Sequence, residues 1–369
     1  MSGQLPVTFV EGFHNVEKLK CMKYKQLGKT GLEVSQVAFG GGALCSKYGF
    51  DLEEGIKTVQ EAIKAGINYI DTAPWYGQGR SEEVLGLALK DVPRKAYYIA
   101  TKVGRYELDY QNMFDFSGQK ARESVEKSLK LLGLEYIDVI QIHDIEFAPS
   151  MDILLNETLP VLEQLVKEGK ANFIGVSGYP LSAVKNLVSS TPGRIDMVLS
   201  YSRYTLSDNT LLDYMDYFLS QNLGIVCAAA HAMGLLTNAG PQPWHPATND
   251  QKHQACQAAK FCQDQGVELG KLALYHTIQL SGATTFLIGM QTRSLLAMNL
   301  DVFYNGLNGK EQEVLQHLYK TTFIRPFNWE GIELERYWAA IKGRASVRVV
   351  LTPGGLVAIW CHLRPANES

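Results

Sequence analysis

Four residues with proton-carrying side chains, Asp71, Tyr76, Lys102 and His143, sit at the ends of three successive apolar runs. The runs close as Asp71-Thr72-Ala73-Pro74-Trp75-Tyr76-Gly77, as Thr101-Lys102 and as Gln141-Ile142-His143-Asp144. A fourth closes as Ser177-Gly178. Taken singly, each residue has an ordinary reading. An Asp after a strand caps a helix or turns the chain. A Lys there is solvated or paired, a His is a satisfied core side chain, and a Tyr packs. Taken together they differ. If the runs are consecutive strands of one barrel, all four side chains converge on a single mouth. A buried Asp71–Lys102 pair would also explain why apolar runs end in charges.

The elements needed to place these residues are legible. A hairpin is expected first, from Lys23 to Leu27, through Gly28-Lys29-Thr30-Gly31, to Leu32–Val34. Eight short apolar runs follow: Val37–Gly41, Asn68–Ala73, Tyr97–Val103, Tyr136–Ile142, Asn172–Ser177, Met197–Tyr201, Gly224–Ala230 and Phe286–Met290. Between them apolar residues recur at helical spacing. Examples are Ile56, Val59, Ala62 and Ile63, then Val84, Leu85, Ala88 and Leu89, and then Val125, Leu129 and Leu132 before Gly133. Leu159, Leu162, Leu165 and Val166 repeat the pattern before Gly169. Strands without strict alternation are buried on both faces, as in parallel sheets. The expected fold is therefore an α/β, (β/α)8 TIM barrel with an N-terminal β-hairpin, spanning residues 23–338. An open doubly wound sheet is the runner-up, but no G-x-G-x-x-G opens a helix after an early strand. Residues 339–369 form a C-terminal tail whose apolar runs, Val347–Leu351 and Leu356–Trp360, suit a small hairpin or disorder.

Composition excludes several function classes. The chain has 369 residues, 46% hydrophobic and 20% charged, with net charge -3. That length buries a sizeable core without staples, and the balance gives no footprint for nucleic acid. No apolar run reaches the roughly 18 residues that a membrane span needs. Met1 to Cys21 lacks a basic flank before an apolar stretch, so no secretory signal is expected there. The six cysteines, Cys21, Cys45, Cys227, Cys256, Cys262 and Cys361, form no C-x-x-C pair. Reduced thiols, a cytoplasmic location and no metal site are the expectation.

The motifs Asp71-Thr72-Ala73-x-x-Tyr76-Gly77, Ala100-Thr101-Lys102 and Gln141-Ile142-His143 resemble those of the aldo-keto reductase family, and the likeness runs from Lys23 to roughly Trp338. Within that family the chain is most similar to the L-galactose dehydrogenases. The similar stretches are Gly66–Gly77, Leu132–Asp138 and Ala232–Thr237. The resemblance implies an NAD(P)-dependent oxidoreductase acting on a sugar or another carbonyl or alcohol. Tyr76 would be the general acid in reduction and the base in oxidation. Lys102 would stabilise its phenolate and lower its pKa. Asp71 would hold Lys102, and His143 would donate to the substrate oxygen. Trp75 and Tyr106 are expected to wall the substrate pocket.

The resemblance also implies a cofactor site, with departures. Ser177 matches the serine that bonds the nicotinamide carboxamide, but the asparagine expected next is Gly178. Ser200 replaces a glutamine, and Ala229-Ala230-His231 replaces Ser-Pro-Leu, with His231 a possible substitute donor. Gly289, Gln291 and Thr292, at a helix N-terminus, suit the ribose-phosphate end, and Asn299 matches the adenine contact. Met290 and Leu295 stand where NADP users place cations, so NAD is favoured; Arg293 is the nearby cation that keeps NADP open. Two alternatives to a sugar dehydrogenase follow. One is a non-enzymatic regulatory protein like the family's channel β subunits. The other is a pseudoenzyme with a decayed cofactor site.

Overall fold

The computed structural model describes residues 5–45, 49–345, 349–352 and 355–358. Eight parallel strands close into a barrel in the order β10-β3-β4-β5-β6-β7-β8-β9. They are β3 (Val37–Gly40), β4 (Tyr69–Asp71), β5 (Tyr98–Val103), β6 (Ile137–Ile142), β7 (Ala171–Gly178), β8 (Met197–Tyr201), β9 (Gly224–Ala228) and β10 (Thr285–Gly289). Each lies within one residue or two of its apolar run. All six residues of β6 are buried, which is why its sequence shows no alternation.

The opening hairpin pairs β1 (Tyr24–Gln26) with β2 (Glu33–Ser35). It closes the N-terminal end of the barrel. Leu27 and Val34 are fully buried among Ala38, Tyr69, Ala100, Val139 and Met197, the side chains that fill the barrel interior. The approach is backbone on backbone. A Cβ at Gly28 would lie 2.2 Å from the Gly224 amide nitrogen, and Gly28 has φ +54°, so glycine is required there. With that end plugged, the C-terminal strand ends form the open mouth.

The helices pack outside. Gly118–Leu132 shows why they form where they do. Ser117 caps it by accepting from the Lys120 amide, and Gly133 ends it in the left-handed conformation. Its buried stripe is Ala121, Val125, Leu129 and Leu132, and each Val or Leu contributes roughly 1.5–3 kcal/mol. A short helix, Val16–Cys21, precedes the hairpin. It lies outside the unit read from the sequence. No helix among the described residues is long and apolar enough to cross a membrane.

The C-terminal region refines the expected boundary. Helix Ile332–Ala345 runs through Trp338. Its Tyr337 is buried edge-on against Phe114 and Phe147, at 5.1 and 5.4 Å between ring centres, and Ile341 also packs on the core. The boundary at Trp338 therefore falls inside a helix. Beyond it, Val349–Thr352 pairs antiparallel with Gly355–Ala358. The rest of the tail, including Cys361, lies outside the described residues. We propose residues 23–345 as the barrel unit. A chain ending at Ala345 should keep the full melting temperature. One ending at Trp338 should melt a few degrees lower, at about 2–4 °C per kcal/mol lost. Equal melting temperatures in thermal scans would show that the last turns contribute nothing.

Candidate active site

The mouth is built around one buried ion pair. Strand pairing sets Asp71 of β4 beside Ala100 of β5, and Lys102 of β5 beside Gln141 of β6. Two residues on from Ala100, Lys102 turns its ammonium onto the Asp71 carboxylate, and both side chains are about 1% exposed. The Lys102 Nζ also donates to the Thr72 carbonyl at 2.8 Å and to the Tyr76 hydroxyl at 3.3 Å. The second Asp71 oxygen accepts from Gln141 Nε2 at 2.6 Å. Nearly every bond that these charges can make is made inside the barrel, which is the condition for keeping them there.

Tyr76 reaches Lys102 because the chain after β4 is pinned. The Thr72 and Ser81 hydroxyls are 2.8 Å apart, and Ser81 donates to the Gly41 carbonyl at 2.8 Å. Gly41 has no room for a side chain, since a Cβ would meet Ser81 Oγ at 2.7 Å. The Tyr76 ring meets that of His143 edge-on, with centres 6.0 Å apart. His143 is 6% exposed. Asp71, Tyr76, Lys102 and His143 are thus brought together.

Their electrostatics follow from burial. Desolvation opposes a charged Lys102, but Asp71 and Tyr76 outweigh it and hold the ammonium above its usual range. For Tyr76 burial wins: the phenol is raised, with Lys102 opposing the shift. Lys102 acts in the expected direction, but the cost of burying a phenolate exceeds what one ammonium returns here. Burial pushes His143 down to about 3, against the pull of Asp144, so its imidazole is neutral near pH 7.

The expected cofactor residues divide into three groups. Ser177 and Ser200 are neighbours across β7 and β8, with Gly178 paired to Ser200. The Ser200 hydroxyl is buried without a partner, and Ser177 Oγ accepts only a 3.4 Å bond from the Asp144 amide. These hydroxyls fit a polar group docking at the strand ends, as a nicotinamide carboxamide would. At the far side, Thr292 caps helix Arg293–Asn305 by accepting from the Leu295 amide, with Gly289 exposed before it, Gln291 half-buried and Asn299 buried. His231 is engaged elsewhere: its Nε2 is 3.1 Å from the Gly270 carbonyl on helix Leu269–Ile278.

Other placements differ from the sequence reading. Trp75 lies beside Tyr76 under the guanidinium of Arg105, 4.1 Å from its ring centre. The Tyr106 hydroxyl accepts from the Gly104 amide at 2.9 Å, and the side chain lines a cavity of about 460 Å³ with Phe116, Lys120 and Tyr337. Met290 is fully buried in the core. Arg293 is held by Glu54, which accepts from its amide at 2.9 Å and from its guanidinium at 2.9 Å, with Glu61 3.5 Å away. Gln141 and Asp144 stand in the run end read from the sequence but were given no role there, and Arg105 was not named. Gln141 carried a signal, as a polar residue within a mostly apolar run two positions before His143.

The chain is similar to known proteins in sequence and in fold. Residues 36–320 match the Aldo/keto reductase family. The chain is 41% identical over 283 residues to L-galactose dehydrogenase of Arabidopsis thaliana, covering 76% of this chain and 87% of that protein. It is 34% identical over 319 residues to D-arabinose 1-dehydrogenase of Saccharomyces cerevisiae, covering 80% and 93%. Among solved structures, the holo form of an aldo-keto reductase from Bacillus halodurans superposes with a TM-score of 0.64 at 27% identity, covering 80% and 96%. The chain belongs to the aldo/keto reductase family.

Proposed function

We propose that the chain is an NAD-dependent aldose 1-dehydrogenase, oxidising the anomeric carbon of a cyclic sugar to a lactone. The observation that carries this reading is the continuous link Asp71–Lys102–Tyr76 ending in a half-buried phenol beside a neutral imidazole. Sugar dehydrogenases among its relatives support the substrate class. Ser177 and Ser200 would hold the nicotinamide end of the cofactor. Gly289, Gln291, Thr292 and Asn299 would hold the adenosine end. A nicotinamide held there would supply the acceptor for the hydride lost from the anomeric carbon. Tyr76 takes the hydroxyl proton, for which it must first be a phenolate. Lys102 stabilises that phenolate, and Asp71 keeps Lys102 charged and aimed. His143 donates to the substrate oxygen and orients it.

NAD is favoured over NADP because the nearby cation is already neutralised. Arg293 is bound by Glu54 and close to Glu61, so a 2′-phosphate arriving there meets carboxylates. Its natural anchor at the helix N-terminus, the Arg293 amide, is taken by Glu54 as well.

A panel of aldoses with NAD and NADP, followed at the nicotinamide absorbance band, tests the proposal directly. NAD-dependent turnover of at least one aldose is expected. Failure to bind either dinucleotide by calorimetry would contradict it and point to a decayed site.

Tyr76→Phe should lower kcat by at least 10²–10⁴-fold while leaving the NAD dissociation constant unchanged and lowering the melting temperature less than the ion-pair variants do, since Lys102 loses one hydrogen-bond acceptor. Lys102→Met and Asp71→Asn should lose activity and also stability, by roughly 3–5 kcal/mol, because each strands a buried partner. If all three variants melt together, the ion pair does not contribute as described.

Glu54→Gln should release Arg293 and remove a like charge from the phosphate's path. NADP affinity, measured by tryptophan fluorescence, should tighten by roughly three- to tenfold, with NAD affinity changed less. Wild-type protein that already binds NADP much more tightly than NAD would overturn the preference.

A further inference from the structure

Beside the proton-transfer groups stands a second ion pair that the chemistry above does not use. Asp144 follows His143 directly. Its Oδ2 accepts from Arg105 Nη1 at 2.7 Å and lies 3.6 Å from His143 Nε2. Both side chains are largely buried, Arg105 at 17% and Asp144 at 12% exposure. The backbone is bent to bring them together. Asp144 is left-handed at φ +49°, a conformation that non-glycine residues avoid. Gly104, next to Arg105, has φ +109°, and a Cβ there would meet the Phe116 ring at 2.6 Å. The Arg105 guanidinium lies over Trp75 at 4.1 Å and near Phe114 at 5.2 Å, and its Nε is buried without a partner.

Burying an ion pair is costly compared with packing apolar side chains. Strain of this kind persists where the surroundings enforce it, and it gathers at binding sites. Here both occur within reach of the phenol and the imidazole. The pair presents a fixed donor and a fixed acceptor next to each other, over an aromatic face. A guanidinium only donates and a carboxylate only accepts. A pair of adjacent hydroxyls complements them, one accepting from Arg105 and its neighbour donating to Asp144, while the C–H face of the ring lies along Trp75. An anionic substrate fits poorly, because Asp144 already neutralises Arg105 and would repel it.

We propose that Arg105, Asp144 and Trp75 form the substrate subsite, and that it reads a neutral vicinal diol next to the reacting carbon. The assignment rests on the aldose reading above and adds the residues that would make it selective. The Arg105–Asp144 bond is already made in the free protein, so the subsite is formed before substrate arrives. The pH response of this corner also involves Glu146 and Glu333. Both are raised by burial, with Asp144 opposing their ionisation and Arg105 favouring it. The test below is therefore run at one fixed pH.

The test compares the best aldose with its 2-deoxy counterpart in wild-type protein and in Arg105→Gln and Asp144→Asn. In wild type, kcat/KM should fall about 10- to 100-fold when the hydroxyl is removed, because a buried polar group is left unpaired. In either variant the two sugars should come within a few-fold of each other. A wild type that handles both sugars alike overturns the subsite and needs no variant to do so. Variants that lose the same factor on both sugars also overturn it, making the pair scaffolding for His143. A wild type that oxidises no aldose at all overturns the aldose reading itself, and the subsite with it.

Discussion

The pairing of Lys102 with Asp71 inside the barrel is the constraint around which the mouth is arranged. Two charges at about 1% exposure are tolerable only if their remaining hydrogen-bonding capacity is met. Gln141 meets it for the carboxylate, and the Thr72 carbonyl and Tyr76 hydroxyl meet it for the ammonium. Each partner comes from β4, β5 or β6 or from the turn after β4. A slip of one residue in either strand pairing would turn a charge into the helix layer. The ion pair and the barrel register therefore specify each other.

From this pair outward the mouth divides its labour. Asp71 and Lys102 are sealed and serve the phenol. Tyr76 and Trp75 are half-buried and face the opening. His143 is neutral by burial, so it can donate or accept without adding charge. Arg105 and Asp144 carry charge near the opening but cancel each other. On the proposed reading, the site would offer substrate hydroxyls directional donors and acceptors, a combination that would suit an uncharged polyol better than an acid.

Much of this was legible in the sequence. The strands were visible as apolar runs because parallel barrel strands are buried on both faces. Asp71, Tyr76, Lys102 and His143 stood out because polar residues close those runs. What stayed hidden depends on backbone conformation or on distant pairing. Nothing local marks Asp144 as left-handed, and only that bend turns it to Arg105. Tyr106 and His231 have suitable side chains, but their direction is set by the Gly104 amide and the Gly270 carbonyl. Arg293 looked like an available cation. Its partner Glu54 is 239 residues away in the chain. The last helix was cut short at Trp338 because its pattern weakens there: Ile341 packs on the core but Lys342 is exposed.

The central claim is that Tyr76 is the proton acceptor, with its phenol raised by burial and Lys102 working against that shift. The pH dependence of kcat/KM for aldose oxidation tests it most directly. The base is the deprotonated phenol, so a raised pKa means that the active form is scarce at neutral pH and grows as pH rises. The account predicts a logarithmic rise of about one per pH unit with no plateau below about pH 10. It also predicts no inflection near pH 6.5, because burial pushes the His143 imidazole down to about 3. A plateau reached near pH 7, or the same profile in Tyr76→Phe, would contradict it.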